Sequence, residues 1–234
     1  MKKKDFWNKQ YKKPTHLALS SEPSEDLIKF TRWLQREHGR AVLNVTALVV
    51  DLGCGNGRNL LYLAREFGVH GVGYDTSHEA LREGRARTDA EELPLVFEER
   101  SIAKPIPLED VSAALALDMM SSHVLRRVER ESLRAEILRV LRPNGWLFFK
   151  SFFLDEDRNA ARMLRDYPGP EEGMYVHPEI GVPEYVWTAS ALRIFFEPSF
   201  VMHKMETSHK HLTKRGEPWK RRTVSLYLEK SGGA

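Results

Sequence analysis

The residues best placed to do chemistry in this 234-residue chain lie in Val49-Val50-Asp51-Leu52-Gly53-Cys54-Gly55-Asn56-Gly57. An acid ends an apolar run, and glycines follow at alternate positions. Glycines let the backbone turn sharply and let a ligand approach the main chain where a Cβ would collide. The loop runs into a helical pattern whose first N–H groups suit an anionic group. Spacing narrows the ligand. A dinucleotide fingerprint needs Gly-x-Gly-x-x-Gly, but Arg58 stands three residues after Gly55 and the third glycine, Gly57, comes one residue early. The Gly-Lys-Ser/Thr of a phosphate loop is absent. Asp51 sets a carboxylate where a pyrophosphate would sit, and so suits a cationic ammonium. Gly71-Val72-Gly73-Tyr74-Asp75 supplies a second acid about twenty residues on, placed to accept both hydroxyls of a ribose.

These residues need strands and helices to hold them. Ser24 followed by Glu25 and Asp26 reads as a helix start, with Leu27, Phe30 and Leu34 at helical spacing and Gly39 at its end. Leu48 to Val50 is a buried-strand run, and Leu60, Leu61, Leu63, Ala64 and Phe67 mark one face of a helix stopped by Gly68. Val69 to Tyr74 is a second strand. Thr76-Ser77-His78-Glu79 fits a capping box with Thr76 as N-cap. Leu95 to Phe97 and Ala113 to Leu117 are further strands. A helical stripe through Leu133, Ile137, Leu138 and Leu141 closes at Pro143-Asn144-Gly145, and Trp146 to Phe149 makes a fifth strand. The segment 167–187 is rich in Pro, Gly and aromatics. Thr188 caps a helix through Phe196, and Phe200 to Met205 and Thr223 to Glu229 are two last strands. The alternation predicts an α/β fold with a doubly wound, mostly parallel seven-stranded sheet flanked by helices. It also predicts an N-terminal helical cap (5–40) and an insertion after strand five.

A ribose site and an amino-acid site without a pyrophosphate site match the shape of S-adenosylmethionine. Val50 to Gly57 resembles motif I of class I S-adenosylmethionine-dependent methyltransferases, and Gly73-Tyr74-Asp75 resembles the acidic end of their second strand. Arg139-Val140-Leu141-Arg142-Pro143-Asn144-Gly145-Trp146 resembles their turn before strand five, with Asn144 in place of the first glycine of a pair. The similarity covers roughly residues 45 to 150. It implies one methyltransferase domain over 1–234: the cap, a cofactor-binding core (45–150), and a substrate-covering segment with the final strands (151–234).

By the same resemblance, the backbone of Gly53, Cys54, Gly55, Asn56 and Gly57 lines the methionine part, Asp51 holds its ammonium and Asp75 the ribose. Thr76 sits beside the ribose or adenine. Ser101-Ile102 occupies the place where the family has an acidic then an apolar residue near adenine, so Ser101 departs from that pattern. Asp118 ends strand four, facing the methionine moiety or the acceptor. S-adenosylmethionine is thus the expected methyl donor and S-adenosylhomocysteine the product.

Transfer from a sulfonium is an in-line displacement in which alignment alone supplies about 7–11 kcal/mol. It requires no metal, and a base helps only an acceptor with a proton to lose. His123 and His177 are the base candidates. Tyr175, Glu184, Tyr185 and Trp187, in the aromatic segment, are candidates for the acceptor pocket. Phe6, Trp7 and Tyr11 would anchor the N-terminal cap.

The net charge of +3 is small, yet lysines crowd the first thirteen residues and a second basic run spans Lys204 to Arg222. Such runs are ordinarily solvated faces. A small-molecule acceptor is the first expectation. RNA bound along the basic runs is an alternative acceptor, and a non-catalytic S-adenosylmethionine-binding regulatory protein is another reading. The single cysteine, Cys54, excludes an intrachain disulfide and speaks against a cysteine metal cluster. The basic N-terminus lacks an apolar segment behind it, and no run reaches the 18 or more apolar residues of a membrane span, so the expected location is cytoplasmic, with no membrane partner.

Overall fold

A computed structural model describes residues 3–13, 19–208, 213–214, 217–218 and 221–232. Part of each basic run, including Lys2 and residues 209–212, 215–216 and 219–220, lies outside the described residues.

Five parallel strands form the centre: β1 (Leu48–Leu52), β2 (His70–Asp75), β3 (Leu95–Glu99), β4 (Ala113–Met119) and β5 (Leu141–Phe152). Two more, β8 (Phe200–Thr207) and β11 (Thr223–Lys230), complete a seven-stranded sheet of order β3-β2-β1-β4-β5-β11-β8. β11 runs antiparallel to both β5 and β8. The order reverses between β1 and β4, which opens a crevice at the carboxyl ends of those strands, where ligands of open α/β sheets bind.

Helices cover both faces. On one, α2 (Glu25–His38) and α3 (Arg58–Phe67) bury Leu27, Phe30, Leu34, Leu60 and Leu61. Phe30 stacks on Phe148 at 4.8 Å and meets Tyr227 edge-on at 4.9 Å. Lys150 of β5 binds Asp26 at 2.6 Å and fixes the start of α2 over the sheet. On the other face, α5 (Arg127–Val140) and α7 (Ala189–Phe196) bury Leu133, Ile137, Leu192 and Phe196. Helix α1 (Lys3–Lys12) and α4 (His78–Ala90) pack together beside β2, with Asn8 Oδ1 accepting from Ser77 Oγ at 3.0 Å.

The expected capping box shifts by one residue. Ser77, not Thr76, is the N-cap of α4 and accepts the Ala80 N–H at 3.3 Å. β5 begins earlier than the Trp146 start read from sequence. Pairing with β4 jumps from Ala113–Leu141 to Leu115–Trp146, so Pro143-Asn144-Gly145 is an irregularity within the strand, with Asn144 at φ 57°. The stretch after β5 is more ordered than its composition suggests. It holds α6 (Arg158–Asp166), capped by the Asp157 carboxylate, and a hairpin of β6 (Met174–Val176) with β7 (Pro183–Tyr185). Two short strands, β9 (Thr213–Lys214) and β10 (Glu217–Pro218), pair within the second basic run. No helix among the described residues is long and apolar enough to cross a membrane.

Candidate active site

The glycine loop closes the carboxyl end of β1 through three left-handed glycines, Gly53 (φ 78°), Gly55 (φ 56°) and Gly57 (φ 74°). They serve different ends. A Cβ on Gly53 would come within 2.4 Å of Ser121 Cβ, and one on Gly55 within 2.2 Å of the Tyr11 hydroxyl oxygen. At Gly57 it would strike the Phe97 ring at 2.4 Å. Gly53 and Gly55 line a cavity of about 330 Å³, whereas Gly57 is the N-cap of α3 and lies outside that wall.

The cavity gathers Cys54, Asn56, Asp75, Thr76, Ser101 and Ile102 from the sequence-predicted set. Asp75 is held in place, since its Oδ2 accepts Gly55 N–H at 2.9 Å and its Oδ1 accepts Ser77 N–H at 2.7 Å. Burial raises its pKa, and those two N–H donors pull it partly back. Each oxygen keeps lone pairs for a hydroxyl donor. Ser101 Oγ accepts Ala103 N–H at 3.2 Å, and Asn56 donates to Glu83 at 3.1 Å, so both amide and hydroxyl also brace the wall.

Asp51 sits beneath the loop, buried, with its Oδ2 lacking any hydrogen-bond partner among the described residues. Burial, then the neighbouring Asp75 and Asp118, push its pKa up to about 8, against the pull of Arg58. A buried carboxyl oxygen without a partner costs free energy and invites a cation. The cavity therefore offers a cradle for close backbone approach and a ribose acceptor, with the Asp51 carboxyl buried beneath the loop and outside the described wall. That donor set fits S-adenosylmethionine.

Several wall residues carry no motif. Trp7 and Tyr11, expected as anchors of the cap, face the cavity from α1 at a helical spacing of four, which was the available signal. Burial, then the charge of Asp75, raises the Tyr11 phenol well above its ordinary pKa. Arg100, Met119, Met120, Ser121, Val124 and Leu125 join them. The last three come from the 3-10 turn Ser122–Val124 and its flanks, whose position only the fold reveals.

The remaining candidates stand elsewhere. Asp118 is buried, its Oδ1 accepting from Ser121 Oγ at 2.7 Å and Ser122 N–H at 3.1 Å. His123 is buried against Phe152 with ring centroids 5.0 Å apart, its Nε2 3.8 Å from Glu184 Oε1. Glu184 Oε2 accepts from Tyr175 Oη at 2.7 Å and from the Arg221 guanidinium, which stacks over Phe152 at 3.5 Å. Burial pushes the Glu184 pKa upward, but His123 and Arg221 outweigh it and hold the carboxyl near about 2. Tyr185 and Trp187 pack around Arg130, whose guanidinium lies 3.9 Å from the Tyr185 ring. His177 lies in the hairpin connection, its Nδ1 accepting Glu179 N–H at 3.3 Å. None of His123, His177, Tyr175, Glu184, Tyr185 or Trp187 belongs to the described cavity wall. His123, Tyr175 and Glu184 form a buried brace behind the 3-10 turn, and His177 stands apart from it.

A glycine loop after β1, an acid ending β2 and this strand order define the class I, Rossmann-like methyltransferase fold. Residues 49–145 match the family model described as a methyltransferase domain, and over that segment the chain is similar to methyltransferases. The trans-aconitate 2-methyltransferase of Azoarcus sp. (strain BH72) is 31% identical over 132 residues, covering 56% of this chain and 49% of that protein. The chain spans half or less of the first curated relatives it matches, 24% to 49% of their length. A SAM-dependent methyltransferase from Methanosarcina mazei superposes with a TM-score of 0.66 at 23% identity, over 81% of this chain and 95% of that one. The Burkholderia thailandensis 1,6-didemethyltoxoflavin-N1-methyltransferase, solved with S-adenosylhomocysteine, gives 0.64 at 16% identity, over 88% and 79%. These two likenesses establish a shared fold.

Proposed function

We propose that this chain transfers the methyl group of S-adenosylmethionine to an O, N or S atom of a small molecule, acting as one domain in the cytoplasm. The carrying observation is the buried, unpartnered Asp51 oxygen beneath a glycine loop whose Gly55 is tied to Asp75. Together these are complementary to an adenosyl amino acid. When bound, that group supplies an activated methyl on a sulfonium. The protein's task is then to bind, orient and exclude water.

Asp51 accepts the ammonium and the Gly53–Gly55 backbone receives the methionine part. Asp75 takes the ribose hydroxyls, and Thr76, Ser101 and Ile102 flank the adenine. Trp7 and Tyr11 close the other side. Asp118, braced by Ser121 and Ser122, stands behind the wall rather than in contact with the ligand. His123, Tyr175 and Glu184 position the 3-10 turn that carries Val124 and Leu125. The named relatives act on small acids and heterocycles, which supports a small-molecule acceptor.

Calorimetry with S-adenosylmethionine and S-adenosylhomocysteine, followed by labelled methyl transfer into fractionated cell extract, tests the reading. Micromolar binding of both and label in the small-molecule fraction are expected. Preferential binding of NADH would overturn the donor assignment, and label confined to RNA would overturn the acceptor class.

A further inference from the structure

We propose that Ser121 and Asp118 form a proton relay for an acceptor bearing an O–H, S–H or N–H group. This deepens the methyltransferase reading and rests on it. Only Ser121 of the pair lines the cavity, while Asp118 is 3% exposed behind it. Ser121 Oγ lies 2.7 Å from Asp118 Oδ1, so its single proton is committed to the carboxylate and its lone pairs are left to accept from the cavity. The hydroxyl is also well placed: Ser121 Cβ packs where a Cβ of Gly53 would lie, beside the loop assigned to the methionine part. The preceding residue, Met120, holds a left-handed φ of 59°, rare for a non-glycine residue, while its N–H donates to Lys150 O at 2.8 Å. That turn presents Ser121 to the cavity instead of letting β4 run on, and such strain clusters at functional sites.

The charges around Asp118 suit a base. Asp51 of β1 stands near it, His123 follows on the 3-10 turn, and Arg130 and Arg134 of α5 border the same narrow void. Burial raises its pKa, and the Ser121 and Ser122 bonds moderate the rise. The acceptor gives its proton to Ser121 Oγ as Ser121 passes its own to Asp118 Oδ1. The acceptor atom gains the methyl group, and the sulfonium leaves as a neutral thioether. Sulfonium and carboxylate charges vanish together, so proton and charge balance without a further reactant.

The test compares the parent, Ser121→Ala and Asp118→Asn. One measurement is calorimetric affinity for S-adenosylhomocysteine. The other is transfer from methyl-labelled S-adenosylmethionine into the small-molecule fraction of a cell extract, between about pH 6 and 10. Ser121→Ala should bind S-adenosylhomocysteine within about threefold of the parent yet transfer roughly 10²–10³-fold more slowly at neutral pH. Its rate should approach the parent's as pH rises, because the acceptor then ionises unaided. Asp118→Asn, if it folds, should follow the same profile. Parent-like transfer by Ser121→Ala at neutral pH, or parallel pH profiles, overturns the relay and leaves the methyltransferase reading intact. A tenfold loss of S-adenosylhomocysteine affinity in Ser121→Ala also overturns it, placing Ser121 in donor binding. A parent that binds S-adenosylhomocysteine and labels no fraction refutes the methyltransferase reading itself.

Discussion

Gly55 donates its backbone N–H to Asp75 Oδ2 at 2.9 Å, which ties the middle of the glycine loop to the end of β2. Ser77 N–H does the same for Oδ1 at 2.7 Å. Two backbone donors thus fix both oxygens of one carboxylate before any ligand arrives. A ribose diol then meets an acceptor that needs no reorganisation, and preorganisation of this kind lowers the entropic cost of binding.

Asp75→Asn follows directly. The amide nitrogen would face a backbone N–H, donor against donor, and one hydroxyl acceptor would be lost. Hydrogen bonds to charged groups contribute about 1.5–3 kcal/mol each, so affinity for S-adenosylhomocysteine should fall at least about tenfold. Calorimetry reads this directly, and an unchanged Kd would remove Asp75 from the ribose site.

Much of this site was legible before the fold. Asp51, the glycines and Asp75 sit in one continuous strand-loop-helix-strand unit, so local spacing encodes their geometry. Ser121, Met120 and Val124 carry no such record. They reach the cavity because β4 pairs beside β1, a contact across more than sixty positions of sequence (Leu52↔Asp118). The His123–Glu184 approach likewise depends on a hairpin whose strands, three residues each, are too short to show periodicity. Thr76 misled as a cap because Thr76 and Ser77 both have the side chain for it. Tertiary contact chose Ser77, whose hydroxyl also meets Asn8 at 3.0 Å.

Gly57→Ala separates folding from binding. The substitution strains a left-handed φ of 74° by about 1–2 kcal/mol and drives a Cβ to 2.4 Å from the Phe97 ring. Overpacking adds about 1–3 kcal/mol. Urea denaturation should report a loss of roughly 2–5 kcal/mol. Because Gly57 lies outside the cavity wall, the folded fraction should retain most of its affinity for S-adenosylhomocysteine. The outcome to exclude is a variant of parental stability that no longer binds.

The Glu184 brace predicts acid sensitivity. Its folded pKa, near about 2, lies below the unfolded value of about 4.3. Ionised Glu184 therefore contributes stability that is present above about pH 4 and is lost as pH falls towards 2. Arg221→Met should shrink that part of the acid transition and destabilise the protein by up to about 3 kcal/mol at neutral pH, since it removes a buried charge partner and leaves Glu184 with only Tyr175 and His123. The combined Arg221→Met, Glu184→Gln variant should recover part of the loss. Denaturant melts of all three across pH measure both effects, and additive losses would argue against a coupled pair.

Asp51 carries the opposite sign. Its folded pKa, raised to about 8, exceeds the unfolded value of about 3.9, so the folded ligand-free protein keeps a proton that the unfolded chain releases. Stability should accordingly decline as pH rises from about 4 to 8 and level off above, and Asp51→Asn should flatten that slope. An ammonium beside the carboxyl favours its ionised form. S-adenosylhomocysteine binding at neutral pH should therefore release up to about one proton, and none well above pH 8. Calorimetry in buffers of different ionisation enthalpy counts that proton. Asp51→Asn should abolish the release and weaken binding at least about tenfold, as loss of a charged hydrogen bond requires. Binding with no proton released at neutral pH would place the ammonium away from Asp51.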